Sequence, residues 1–142
     1  MFKIAKEVKW DAAHRLLNYE GPCGRIHGHS WRAIFTFESE DLNKDGMVVD
    51  FSVVKKVIQG WIDQHWDHGL ILNFADPLIE ILHCQNVISK DQGQQIYPMQ
   101  GNPTAEHMAQ FLFYNFQSEF YPVKLISVEV FEGPKSSAIY GE

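Results

Sequence analysis

The sequence predicts a single α+β domain built on an antiparallel sheet. Runs of alternating apolar and polar residues lie near both ends of the chain, and two segments with helical apolar spacing lie between them. The 142 residues carry a net charge of -6, which suits one domain and excludes a broad basic surface for nucleic acid or anionic membranes. We expect one domain over residues 1–142, with a four-stranded sheet and two main helices on one face, in the order ββααββ.

Two long alternating runs predict the first two strands. The apolar residues of the first run share one parity, which His14 continues: Phe2, Ile4, Val8, Trp10 and Ala12. The second run places His27 and His29 on the parity of its apolar residues: Trp31, Ala33, Phe35 and Phe37. Three histidines are therefore predicted on buried faces.

Two segments with apolar residues at helical spacing predict the main helices. Asp50 or Ser52 is placed to cap the first helix, whose apolar stripe ends at His65. Thr104 is placed to cap the second helix, whose stripe ends at Phe116.

The remaining elements are shorter. A proline after Asp76 predicts a short helix over 78–83, and residues 47–49 suit a short hairpin strand. Strands are predicted at 124–132 and around 137–140, and Glu132 extends the apolar parity of the first of these. The stretch 85–101 is polar and weakly patterned.

The motif of His27, Gly28 and His29 points to a metal site. Residues two apart on a strand project to the same side, and His14 at the end of another strand is placed to supply a third nitrogen. Three ligands leave a position open on a tetrahedral zinc ion for water or substrate. The alternative is that each histidine is simply hydrogen-bonded in the core.

Two further features suit proton transfer. Cys23 lies in a loop four residues before His27, close enough for a zinc ion or its imidazoles to favour the thiolate as a ligand or a base; the alternative is an ordinary thiol. Asp67 and His68 pair only if they lie in a turn after the first helix, where the carboxylate would fix the imidazole tautomer. The alternative is a polar helix exit.

Two glutamates have both a functional and a structural interpretation. Glu132 on an apolar parity is costly unless it accepts hydrogen bonds from a partner or ligand, although strands also end in solvated glutamates. Glu106 lies in the first turn of the second helix, where the helix dipole alone favours a negative charge.

The motifs together resemble the 6-pyruvoyltetrahydropterin and 6-carboxytetrahydropterin synthase family of the tunnelling fold. They occur in order along almost the whole chain: AAHRL at 12–16, CGRIHGH at 23–29, GMVVDF at 46–51, DH at 67–68, NPTAE at 102–106 and the late Glu132. Each motif alone is weak, but six in order are specific to this family.

The resemblance implies a role for each residue. Zinc would bind His14, His27 and His29; Cys23 would be the catalytic cysteine, assisted by Asp67 and His68. Glu132 would anchor the pterin ring, with Thr104 and Glu106 as helpers near the helix start. For the triphosphate, position alone suggests three cationic side chains: Arg15, Arg25 and Lys135.

The resemblance also implies an activity. The three residues between Cys23 and His27 resemble the bacterial 6-carboxytetrahydropterin synthases of the queuosine and 7-deazaguanine pathway. Such enzymes convert 7,8-dihydroneopterin triphosphate to 6-carboxy-5,6,7,8-tetrahydropterin, acetaldehyde and triphosphate. The alternatives are a 6-pyruvoyltetrahydropterin synthase and a non-catalytic pterin- or metal-binding protein. The family further implies a homohexamer, a dimer of trimers. We expect a cytoplasmic protein, because no apolar run approaches the roughly 20 residues of a membrane span and the N-terminus lacks the apolar region of a signal peptide. We also expect no nucleic-acid or membrane partner.

Overall fold

Two long strands form the centre of the sheet. In the computed structural model, which describes residues 1–84 and 93–142, β1 (Phe2–His14) pairs antiparallel with β2 (His27–Ser39). The register runs from Phe2 opposite Ser39 to His14 opposite His27. Because alternate residues of both strands are buried, the pairing brings the predicted metal ligands to one end of one face.

The other strands extend the sheet on both sides. On one side, β5 (Lys124–Gly133) pairs antiparallel with β2, and β6 (Ser136–Gly141) with β5. On the other side, β3 (Gly69–Asn73) runs parallel to β1, and β4 (Ile96–Met99) runs parallel to β3. The strand order is β4-β3-β1-β2-β5-β6.

The predicted α+β class and antiparallel centre are confirmed, but the expected count of four strands is wrong. The four predicted strands form β1, β2, β5 and β6, and two short parallel strands join the edge. The middle of β3 is a continuous apolar run, Leu70, Ile71 and Leu72, buried throughout. Such a run lacks the alternation that identifies a half-buried strand, so it escapes a pattern-based prediction.

The first main helix contains a π-helical turn. It consists of α1 (Phe51–Val54), a π turn (Lys55–Gln59) and α2 (Gly60–His65). Its buried side chains recur every four residues: Val54, Ile58, Ile62 and the following Trp66. At 3.6 residues per turn this spacing drifts by about 40° per step, and the wider π turn offsets that drift so that the stripe keeps facing the sheet.

The other helices agree with the sequence prediction. Helix α4 (Ala105–Phe116) begins after Thr104, whose hydroxyl accepts a hydrogen bond from His107 N, and α3 (Leu78–Cys84) follows Asp76. The expected strand at 47–49 is wrong, because Asn43 closes a loop there by accepting from Met47 N.

The weakly patterned polar stretch at 85–101 is described only in part, because residues 85–92 lie outside the described residues. None of the helices in the described ranges is long and apolar enough to cross a membrane.

Candidate metal centre

Three imidazoles and one carboxylate converge at the end of the sheet. The potential ligand atoms of His14, His27, His29 and Glu132 all lie within 4.8 Å of one another. His14 Nε2 lies 3.0 Å from His27 Nε2 and 3.3 Å from Glu132 Oε1, and His29 Nε2 lies 3.2 Å from the same carboxylate oxygen. Strands β1, β2 and β5 each contribute to this cluster.

Backbone carbonyls fix the tautomers of two of the imidazoles. His14 Nδ1 donates to Pro103 O and His27 Nδ1 donates to Arg25 O, each at 2.7 Å. Because a carbonyl oxygen only accepts, each Nδ1 must carry the proton and each neutral ring keeps a lone pair on Nε2. Two lone pairs therefore face each other at 3.0 Å beside a carboxylate, an arrangement that repels unless a cation lies among them.

Burial disfavours a proton as that cation. The side chain of His14 is 2% exposed, and its desolvation lowers its pKa although the Pro103 carbonyl acts in the opposite direction. Desolvation also lowers the pKa of His29. His29 Nε2 is buried and makes no hydrogen bond within the described ranges. These residues thus fit a metal ion, since neutral imidazoles and a carboxylate are the donors that a divalent metal requires.

A cavity of about 180 Å³ opens beside the cluster and is lined by some of the other predicted site residues. Its walls include His14, Glu132, Cys23, Thr104 and Glu106. Cys23 is an exposed free thiol in the 3-10 turn Pro22–Gly24. The structure therefore places the predicted cysteine and the first turn of α4 on one cavity with the candidate metal ligands.

Asp67 and His68 form the predicted pair but do not border this cavity. His68 Nδ1 lies 2.8 Å from Asp67 Oδ2, and Asp67 Oδ1 accepts from Asp11 N at 2.9 Å. The Asp67 hydrogen bond raises the pKa of the exposed His68. His68 borders a different recess, together with Asp11 and Ser30. Asp11 and Ser30 are the exposed residues that alternate with buried residues along β1 and β2. His29 also borders this recess.

The described residues that line the cavity do not include the predicted cations Arg15, Arg25 and Lys135. Arg15 forms a two-point ion pair with Asp76, with Nε 2.6 Å from Oδ2 and Nη2 2.5 Å from Oδ1. Its position after His14 had suggested a phosphate ligand, whereas its guanidinium is committed to this buried carboxylate, whose pKa it lowers. Arg25 is exposed and is not among the residues that line the cavity.

Sequence reasoning missed the residues that support the cluster. Pro103 and Arg25 act through backbone carbonyls, which no residue pattern reveals. Asn102 accepts from Leu17 N at 2.8 Å, a contact between residues 85 positions apart. The signal available was that Asn102 belongs to the NPTAE motif, although the motif does not say what the amide binds.

The sheet and its histidine cluster define a tunnelling-fold protein with a candidate metal centre beside a small-molecule cavity. The family model of 6-pyruvoyl tetrahydropterin synthase matches residues 3–142. The chain belongs to this family, and the prediction that it is an enzyme of this family is confirmed.

Relatives and solved structures agree with this assignment. The chain is 34% identical to 6-carboxy-5,6,7,8-tetrahydropterin synthase from Rickettsia bellii, over 86% of this chain and 82% of that protein. It is 33% identical to the enzyme of the same name from Haemophilus influenzae, over the whole of both chains. An uncharacterized protein from Wolinella succinogenes matches with a TM-score of 0.82 and 26% identity, over 99% of this chain and 98% of that one. Plasmodium falciparum 6-pyruvoyl tetrahydropterin synthase has the same fold, with a TM-score of 0.70 and 18% identity over 99% and 97%.

Proposed function

We propose that this protein is a zinc-dependent 6-carboxy-5,6,7,8-tetrahydropterin synthase of the queuosine and 7-deazaguanine pathway. The observation that carries this proposal is the convergence of imidazole lone pairs and a carboxylate beside a cavity that contains Cys23. The substrate class comes from the relatives, which carry that name at 33–34% identity.

Zinc is the metal that this donor set favours. His14, His27 and His29 provide three nitrogen ligands, the number that catalytic zinc sites use while keeping one position open. Glu132 Oε1 is near enough to serve as a further ligand or to be displaced when substrate binds. When bound, the ion would supply Lewis acidity toward the hydroxyl oxygens of the substrate side chain.

The chain's own residues would divide the remaining work. Cys23 Sγ, on the cavity wall, takes a proton from the substrate side chain, and His68, oriented by Asp67, handles the opposite transfer. The Glu132 carboxylate would accept from the 2-amino group and N3–H of the pterin ring, and Thr104 and Glu106, which line the same cavity, would assist. The predicted role of Arg25 toward the triphosphate rests on its position in the sequence alone.

The separation of His68 from the cavity favours a site shared between subunits. Asp11, Ser30 and His68 are exposed, and the outer edges of β4 and β6 have no partner strand in the described parts of the chain. Unpaired edges are suited to pairing with another chain. We propose a homohexamer in which a neighbour's Asp67 and His68 complete each cavity.

Product analysis tests the proposed activity. Zinc-loaded protein is incubated with 7,8-dihydroneopterin triphosphate, and the products are identified by mass spectrometry. The proposal predicts 6-carboxytetrahydropterin together with acetaldehyde. A 6-pyruvoyl product would assign the chain to the sister activity, and unchanged substrate would favour a non-catalytic pterin- or metal-binding protein.

A further inference from the structure

One asparagine joins the segment after β1 to the loop before α4. Asn102 Oδ1 accepts from Leu17 N at 2.8 Å, and Asn102 Nδ2 donates to Leu17 O at 3.2 Å. The amide thus pairs with both backbone groups of one residue, as a neighbouring strand would. These partners also fix its orientation, because an acceptor must face the N–H and a donor must face the carbonyl. Asn73 Nδ2 adds a longer contact to Oδ1 at 3.3 Å.

The backbone of Asn102 also makes a hydrogen bond to a side chain. His107 Nδ1 donates to Asn102 O at 2.7 Å, which ties the loop to the first turn of α4. The preceding Gly101 has a φ of 82°, and a Cβ there would lie 2.9 Å from the His107 ring. The His107 ring therefore packs directly against the turn that delivers Asn102.

Both segments that Asn102 joins carry atoms of the candidate site. The next residue, Pro103, provides the carbonyl that fixes the His14 tautomer. On the other side, Leu17 follows Leu16, whose N–H donates to Cys23 O at 2.9 Å. The Asn102 amide is therefore the link between the backbone that orients a candidate metal ligand and the backbone that holds the candidate proton-transfer thiol.

We propose that Asn102 is a positioning residue that sets the tautomer and aim of His14 through Pro103 and the location of Cys23 through Leu16 and Leu17. This inference rests on the proposed metal site. Loss of the amide would let the Pro103 carbonyl move away from His14 Nδ1, so that the imidazole could place its proton on Nε2, where it blocks metal binding. Partners that orient a metal-bound histidine typically change metal affinity by about 10-fold to 100-fold.

The test uses two variants of Asn102 and one matched control. Asn102→Ala removes both hydrogen bonds to Leu17, whereas Asn102→Asp keeps the shape and the acceptor but sets a carboxylate oxygen against Leu17 O. Asn43→Ala is the control, because the Asn43 side chain also makes two hydrogen bonds to the backbone, both accepted by Oδ1 from the N–H groups of Asp45 and Met47. Asn43 lies beyond the far end of β2, about 40 Å of strand length from His27.

Two readouts separate this inference from the proposed function. Nitrogen-15 NMR of the metal-free proteins reports which imidazole nitrogen of His14 carries the proton. Competition with a chromophoric chelator gives the zinc affinity. We expect an Nδ1–H tautomer in wild type and in Asn43→Ala, a mixture in both Asn102 variants, and zinc affinity about 10-fold to 100-fold weaker in those variants only.

The outcomes test two separate claims: the positioning role of Asn102 and the proposed metal function. An unchanged His14 tautomer in Asn102→Asp, or the same zinc affinity as wild type, would overturn the positioning role. The Asp variant settles the matter if Asn102→Ala does not fold. A wild-type protein that binds no zinc would refute the proposed metal function, while the tautomer in the metal-free proteins would still support or overturn the role of Asn102.

Discussion

The histidine cluster and the Asp67–His68 pair border separate recesses beside the same sheet and differ in how completely one chain builds them. His14 is buried, its ring is oriented by a backbone carbonyl, and its Nε2 converges with three other donors. His68 is exposed, has a φ of 56°, and is held by Asp67 alone among the described side chains. One chain therefore forms the candidate metal half of the site, whereas the candidate acid–base half faces outward.

This contrast indicates that substitutions in the candidate metal half and in the candidate acid–base half should change different properties of the protein. Changes around His14 should alter metal affinity and stability, because those contacts are internal to the chain. Replacement of the His68 side chain should alter turnover alone, because no buried contact depends on the exposed His68 ring. The predictions below test that division.

The largest expected effect is at the cysteine. Cys23→Ala should lower kcat by about 100-fold to 10,000-fold, the usual range for loss of a proton-transfer group, while zinc content stays that of wild type. The measurement is turnover of 7,8-dihydroneopterin triphosphate together with metal analysis of the same sample. Activity within a few fold of wild type would remove Cys23 from the reaction.

Mixing inactive variants tests whether the outward-facing half serves a neighbour. Chains with Cys23→Ala and chains with His68→Ala, each inactive alone, are co-expressed with different tags and purified as mixed oligomers. If each cavity takes His68 from another chain, roughly one site in four in a random mixture regains both groups. No recovery in mixed oligomers would show that both groups act from the same chain.

The Arg15–Asp76 pair tests how far the candidate metal half depends on internal contacts. Arg15→Ala should lower the free energy of unfolding at pH 7 by about 3 kcal/mol, because it leaves the buried Asp76 carboxylate without its partner. Lys3→Ala is the control, since its pair with Glu38 is exposed and should contribute at most about 1 kcal/mol. If urea unfolding shows that both substitutions lower the free energy of unfolding equally, Asp76 is not a buried carboxylate that depends on Arg15.

The same pair gives a pH dependence with a definite sign. Arg15 lowers the pKa of Asp76 below its ordinary value of 3.8, so this stabilisation is fully present above that value and is lost as pH falls through the lowered pKa. The difference in unfolding free energy between wild type and Arg15→Ala should therefore be largest near neutral pH and shrink as acid protonates Asp76. The decrease begins at higher pH than in wild type alone, because burial of the unpaired carboxylate in the variant raises the pKa of Asp76. A difference that does not shrink on acidification would contradict this prediction.

The smallest expected effect is a shift in the titration of His68. Asp67 raises the pKa of His68 above 6.5, so Asp67→Asn should move the midpoint of its titration, followed by NMR, to lower pH. If protonated His68 donates in the reaction, the high-pH limb of kcat/KM should move in the same direction. Asp45→Asn removes the same charge from the distant loop and should leave both unchanged.

The sequence predicted the convergent part of the site better than its support. Alternation predicted that His14, His27 and His29 lie on the buried faces of their strands, and the pairing of β1 with β2 places His14 opposite His27. Glu132 was identified because a carboxylate on an apolar parity needs a partner. In contrast, the contact of Arg15 with Asp76 and that of Asn102 with Leu17 join residues 61 and 85 positions apart, and no local pattern reports them.

The fold shows the same division between local and long-range information. The long strands and the capped helix α4 follow from periodicity, because one face of each is buried. Strands β3 and β4 have five and four residues, and β4 contains Pro98, which is tolerated at a sheet edge. Their pairing is set by the chain around them and could not be predicted from their own residues.

The π-helical turn affects the direction of the Asp67–His68 pair as well as the packing of the helix. Each residue in a helix rotates everything after it by about 100°, so the extra residue in the turn at 55–59 sets the direction in which the chain leaves α2. Asp67 and His68 come just after the end of α2 at His65. They lie roughly two helical turns after the π turn. Deleting one residue from the turn would make the helix more regular but point this pair away from Asp11. The outward direction of the pair thus depends on a helix that contributes none of the proposed catalytic side chains.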